Sequence, residues 1–170
     1  MTLRRLLWPT DFTELAARAG TFARVLAEWS GATLYVLHAA QSAVAVGPAG
    51  GSGMPLVGLA PDETRLERRL AACVRTTLDG IHAPVVSAVR PGAPREVITE
   101  YARSRAIDLI VIGTHARGLA ASLFHGSTSR AVLQHARCAV LMVPPSALAH
   151  EEPWPELADL VAAGRDCGAF

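Results

Sequence analysis

A chain of 170 residues is long enough to bury one substantial core, and one domain is the natural partition. Apolar residues make up 51% of it, which excludes general disorder. A net charge of +1 without any basic block leaves no electrostatic footprint for nucleic acid.

In chain order, Leu3 to Trp8 reads as a first strand, apolar after Arg4-Arg5 and broken by Pro9-Thr10-Asp11-Phe12-Thr13. A helix follows, with Leu15, Ala19, Phe22, Leu26 and Trp29 recurring on one face. Asp11 or Thr13 would cap it, and Gly31 marks its end. Ala32 to His38 is a second strand. Ala40 to Pro61 is rich in Gly, Ala, Ser and Pro and has no period; a loop of this length is expected to be mobile, functional or both.

The helical period returns at Asp62 with Leu66, Leu70, Cys73, Val74 and Leu78, and Arg65, Glu67, Arg68 and Arg69 form the other face. Pro84 to Val89 is a third strand and Arg90-Pro91-Gly92-Ala93 a turn. Pro94 suits the first position of a helix whose apolar side is Val97, Ile98, Tyr101 and Ala102.

The run Leu109-Ile110-Val111-Ile112, bounded by Gly113, fits a strand buried on both faces. A glycine-containing loop then leads to Gly126-Ser127-Thr128-Ser129 and a capped helix over Ser127 to Ala136. Ala139 to Val143 is the last strand, stopped by Pro144-Pro145. Strands alternating with helices predict a doubly wound α/β sandwich with right-handed crossovers. A strand, a glycine loop and a helix N-terminus form an arrangement that receives phosphate, because outward N–H groups and the helix dipole both favour an anion.

The spacing within this stretch is specific. Two residues separate Gly113 from Ala116, and nine more separate Ala116 from Gly126-Ser127. The pattern resembles the universal stress protein family, whose nucleotide-binding members carry G-x2-G-x9-G-[ST] between their fourth strand and fourth helix; Ala116 stands where the second glycine would be. The resemblance extends from about Thr2 to Val143. It implies a five-stranded parallel sheet in the order 3-2-1-4-5, adenine nucleotide alpha hydrolase-like, occupying residues 1–145, with 146–170 as a C-terminal extension. Strands one and four would then be neighbours at the switch point, where ligands bind. Pro9-Thr10-Asp11 would lie beside Gly113-Thr114-His115.

The resemblance also implies roles. Asp11 would meet the adenosine part of the nucleotide, since a carboxylate accepts ribose hydroxyls. Ala39 and Ile112 would lie against the adenine. Gly113, His115 and Ala116 would pass under the phosphates, with Gly126, Ser127 and Thr128 opposite and Arg117 and Arg130 supplying charge nearby. His38 reads as a packed histidine rather than a ligand. The expected ligand is ATP or a related adenine nucleotide, with Mg²⁺, in a regulator or sensor of stress response. Many members of the family dimerise through strand five, and the uncharged edge Ala139 to Val143 invites the same here.

Two rivals stand beside this reading. One is a nucleotide-free dimeric interaction module of the same fold, supported by Ala116. The other is a slow nucleotide hydrolase, disfavoured because no general base is evident and the chain has no lysine for a Walker motif. No H-E-x-x-H or Cys/His cluster suggests zinc, and no Gly-x-Ser-x-Gly suggests a hydrolase elbow. Cys73, Cys138 and Cys167 form no C-x-x-C pair, which fits a reduced setting. Pro9 arrives too soon for a signal-peptide core, and no apolar run is long enough to span a bilayer. The cytoplasm is the expected address.

Overall fold

The computed structural model of the chain describes residues 2–41, 43–44, 58–59, 61–114 and 127–145. In chain order its elements are β1 (Arg5–Pro9), α1 (Glu14–Ser30), β2 (Thr33–Ala40), β3 (Ala43–Val44), β4 (Gly58–Leu59), α2 (Glu63–Thr77), β5 (Val85–Pro91), α3 (Pro94–Ser104), β6 (Leu109–Gly113), α4 (Ser127–His135) and β7 (Ala139–Val143). The main sheet has five parallel strands ordered β5-β2-β1-β6-β7, which is the expected 3-2-1-4-5 order of its members.

β1 is central, and its composition shows why. Leu6, Leu7 and Trp8 are all fully buried, as consecutive residues must be in a strand covered on both faces. Leu6 and Trp8 join Leu34, Val36 and Val111 on one face, beneath Ala19, Ala23 and Ala27 of α1 and Leu70 of α2. Leu7 joins Leu37, Ile110 and Ile112 on the other, beneath Ile98 and Tyr101 of α3 and Val132 of α4.

Local chemistry sets the helix ends. Thr13 is the N-cap of α1, its side chain accepting from Ala16 N at 3.3 Å, and Gly31 closes the helix at φ 66°. Asp11 accepts instead from Thr13. The Asp62 side chain caps α2 by accepting from Arg65 N at 3.0 Å. Pro94 opens α3.

The structure corrects three expectations. First, Ala19 of the expected α1 face is fully buried and Phe22 and Leu26 pack partly buried against the core, but the buried stripe is completed by Ala16, Gly20, Ala23 and Ala27, and Trp29 is 57% exposed. The cause is Trp8: its indole fills the space under the helix and donates to Ala16 O at 2.8 Å, so only small residues fit above it. A methyl group on Gly20 would lie 2.5 Å from the Trp8 ring. Second, β5 runs on through Pro91, paired with Ala40. β5 is an edge strand, where the N–H that proline lacks is not needed for pairing. Third, the stretch from Ala40 to Pro61 contains regular structure: β2 continues to Ala40, and Ala43–Val44 pairs antiparallel with Gly58–Leu59. The rest of that stretch, apart from Gln41 and Pro61, lies outside the described residues, as does the expected extension 146–170.

Candidate functional site

The chain leaves β1 for α1 on one face of the sheet and leaves β6 for α4 on the other. The C-terminal ends of these neighbouring strands therefore diverge, which is the geometry of a topological switch point. A cavity of about 320 Å³ opens there. Its size falls at the low end of the ordinary range for small-molecule pockets.

Seven of the residues singled out from the sequence line this one cavity: Pro9, Thr10, Asp11, Ala39, Ile112, Gly113 and Thr128. Ser127 is the first residue of α4, and its side chain lies outside the described set. His115, Ala116 and Gly126 lie outside the described residues as well. Sequence reasoning missed Leu37 of β2, Thr13, Leu15 and Ala16 of the α1 end, Pro94 and Ile98 of α3, and Ser129 of α4. Their signal was available: strands that all run one way deliver helix starts to one edge, so first-turn residues cluster there. His38, read as packed, is both packed and part of the wall.

The first turns of α1, α3 and α4 all contribute to the wall, and helix N-termini carry partial positive charge. The N-cap of α3, Ala93, offers no side-chain acceptor to that helix's first N–H groups. Among the described lining residues Asp11 is the sole carboxylate, and His38 is the sole other titratable group. The site thus combines a positive field with one acceptor-rich carboxylate. Among the described residues, no group of three His, Cys, Asp or Glu side chains could hold a metal.

The turn from Pro9 to Thr13 is tightly specified. Thr10 N donates to Leu37 O at 2.9 Å, and His38 Nδ1 lies 2.8 Å from Thr10 O. A carbonyl only accepts, so Nδ1 carries the proton. Thr10 Oγ1 accepts from Phe12 N at 3.1 Å. Asp11 Oδ1 accepts from both Thr13 N, at 3.0 Å, and Thr13 Oγ1, at 2.5 Å. Phe12 itself has φ 65°, a left-handed conformation costing on the order of 1–2 kcal/mol for an L residue. Its ring meets the His38 ring at 4.2 Å and the Arg69 guanidinium carbon at 4.3 Å.

On the opposite side, Thr114 N donates to Val143 O at 2.9 Å, so the β6–β7 ladder continues to the lip of the cavity. Gly113 presses against the first turn of α1 with no room for a side chain.

Fold and cavity together define a class: a doubly wound α/β domain whose five-stranded sheet is parallel throughout, with a cavity at its switch point. The chain belongs to the universal stress protein family, whose model matches residues 2–144. The Thermus aquaticus "Universal stress protein in QAH/OAS sulfhydrylase 3'region" is 31% identical over 144 residues, 82% of this chain and 98% of its own length. Two solved structures show the same fold. A universal stress protein in complex with cAMP superposes with a TM-score of 0.59 at 21% identity, covering 84% of this chain and 98% of that one. The Archaeoglobus fulgidus universal stress protein in complex with dAMP gives 0.57 at 23% identity, again covering 84% and 98%. Among the described residues no helix is long and apolar enough to cross a membrane.

Proposed function

We propose that this chain binds an adenine nucleotide in the switch-point cavity and acts as a cytoplasmic regulator or sensor in stress response. One observation carries the reading. Residues from four separate segments, singled out by sequence context or by the family resemblance, line a single cavity that three helix N-termini face. The nucleotides held by two proteins of the same fold, cAMP and dAMP, support the choice of adenine.

In this reading Asp11 takes the ribose hydroxyls, and Ala39 and Ile112, with Leu37 and Ile98, flank the base with apolar surface. Gly113 and Thr128 mark the phosphate end, completed by Gly126, Ser127 and the backbone of His115 and Ala116. Bound ATP would bring Mg²⁺ on its own phosphates, where such an ion keeps several waters and needs few protein ligands. Turnover, if any, is slow, since Nδ1 of His38 is committed to Thr10 O and the Thr13 hydroxyl beside Asp11 is itself engaged in capping α1.

The chain works as a symmetric homodimer. β7 is a sheet edge without charge or proline, and Leu141 on it is 37% exposed. The second reading, a nucleotide-free dimeric module, is favoured by Ala116 in place of glycine.

Denaturing the purified chain and chromatographing what it releases separates the two. Released adenine nucleotide, or a rise in melting temperature with ATP and Mg²⁺, supports the nucleotide site. No release and no shift with ATP, cAMP or dAMP leaves the interaction module.

A further inference from the structure

Asp11 is aimed by a turn whose strained residue is its neighbour. Phe12 has φ 65°, a conformation that bulky side chains rarely adopt. Something must hold it there. Its N–H is held by Thr10 Oγ1, and the next residue is tied back to Asp11 Oδ1. The Asp11 Oδ2 atom has no hydrogen bond among the described residues.

The Phe12 side chain is absent from the cavity wall. It lies instead against His38, at 4.2 Å between ring centroids and 35° between planes, and beneath Arg69, whose guanidinium carbon is 4.3 Å from the ring centroid. Arg69 sits on α2, which contributes nothing to the cavity wall. No carboxylate pairs with it among the described residues, so the aromatic face is its contact. A cation over a ring gains from the ring quadrupole, and at a partly exposed site this attraction is modest but directional. Ring and cation together oppose relaxation of residue 12 to the right-handed or extended region, where the Asp11–Thr13 closure would be lost.

We propose that Phe12 and Arg69 are positioning residues for the nucleotide. The Arg69–Phe12–His38 stack clamps residue 12 in its left-handed conformation and so directs the free oxygen of Asp11 at the ribose hydroxyls. The inference rests on the nucleotide reading above and deepens it: the site selects an intact ribose, and α2 sets that selectivity without touching the ligand. His38 gains a purpose as the second ring against Phe12.

The test is calorimetry on the intact chain with ATP and with 2′,3′-dideoxy-ATP, for wild type, Asp11→Ala, Phe12→Ala, Arg69→Met and Arg69→Lys. Wild type prefers ATP by about 10-fold or more, the range set by hydrogen bonds to a charged acceptor. Asp11→Ala brings the ratio near one. Phe12→Ala keeps the steric cost of the left-handed conformation but loses the ring that holds it. Phe12→Ala and Arg69→Met lower the ratio to about 3-fold or less, while affinity for the dideoxy nucleotide stays within about 2-fold of wild type. Arg69→Lys keeps a cation for the ring and retains most of the ratio. Should Phe12→Ala fail to fold, the Arg69 variants carry the test, because Arg69 is exposed on α2.

Three results overturn the proposal. A ratio unchanged in Phe12→Ala and Arg69→Met does so, as does an equal loss for both nucleotides, the mark of a merely structural role. A wild-type ratio of one with clear binding does so too, and leaves the nucleotide site standing. Wild type that binds neither nucleotide overturns the site and this inference together.

Discussion

Gly113 and Leu15 are in backbone contact: a methyl group on Gly113 would stand 2.6 Å from the carbonyl oxygen of Leu15. The end of β6 and the first turn of α1 meet without an intervening side chain, and that approach shapes one wall of the cavity. Backbone cannot swing aside as a side chain can. Gly113→Ala is expected to destabilise the chain by about 1–3 kcal/mol, the usual cost of overpacking. The urea midpoint reads this directly. A midpoint equal to wild type would mean that α1 moves freely, and the rigid wall would be wrong.

A second close approach tests the α1 packing. At Gly20 two effects oppose each other. Alanine in a helix interior gains roughly 1 kcal/mol over glycine. The added methyl, however, would lie 2.5 Å from the Trp8 ring and 2.7 Å from Thr77 Cγ2. Overpacking of this kind typically costs about 1–3 kcal/mol, so Gly20→Ala should be net destabilising. Trp8→Phe makes room, and the double variant should lose less than the sum of the single losses. Strict additivity in thermal or urea unfolding would count against the steric account.

Cys138 should react slowly with alkylating reagents near neutral pH. Burial raises its thiol pKa, and the Asp108 carboxylate raises it further. The thiolate is the nucleophile, so a raised pKa slows alkylation. Asp108→Asn removes the second cause and should speed the reaction, as followed by mass spectrometry of the modified peptide. The sign for stability follows. The folded thiol holds its proton to higher pH than the unfolded one, so its contribution is complete below about pH 8.5 and is lost as pH rises beyond that.

The mass of the chain in solution tests pairing through β7. A homodimer should show twice the 17.9 kDa chain mass. Leu141→Arg should return it to monomer, because a charge on a paired edge must be desolvated. A chain ending at Ser146 separates the rival in which residues after Pro145 cover this edge. Monomer for the intact chain and dimer for the shortened one would favour that cover, and monomers for both would remove strand pairing altogether.

For the glycine loop, Ala116→Gly should keep or strengthen ATP affinity, whereas Gly126→Val should weaken it. A β-branched residue restricts the backbone where a phosphate must approach. Indistinguishable weak binding for wild type and both variants would remove the loop from the site.

The parts of this fold legible in the sequence are those set by local chemistry. The helix from Asp62 was announced by its apolar period, that from Pro94 by a residue that fits a first turn, and the strand Leu109 to Ile112 by an unbroken apolar run. The buried stripe of α1 was hidden because it is built from alanines. A hydrophobic period follows the large residues, and here the large residue that matters, Trp8, lies on the strand below. The cavity was half legible. Pro9-Thr10-Asp11 and Gly113 mark strand ends, but Pro94 and Ile98 reach the wall only through the placement of α3, which no local signal reports. The left-handed Phe12 was also hidden, since its conformation depends on partners 26 and 57 positions further along, His38 and Arg69.

The position of β1 at the middle of the sheet governs how the chain is made. Its Leu6 pairs with Leu34 on one side and with Leu109 on the other. During vectorial synthesis the first partner emerges almost at once. The second follows only after many more residues, and at about 5–20 residues per second this means a wait on the order of ten seconds. Throughout that interval the β1–α1–β2 unit leaves the ribosome with one flank of its innermost strand open. The Asp108 carboxylate, which accepts from the backbone N–H groups of Arg4 and Arg5 at 2.8 and 2.9 Å, then ties the late strand to the residues that open β1.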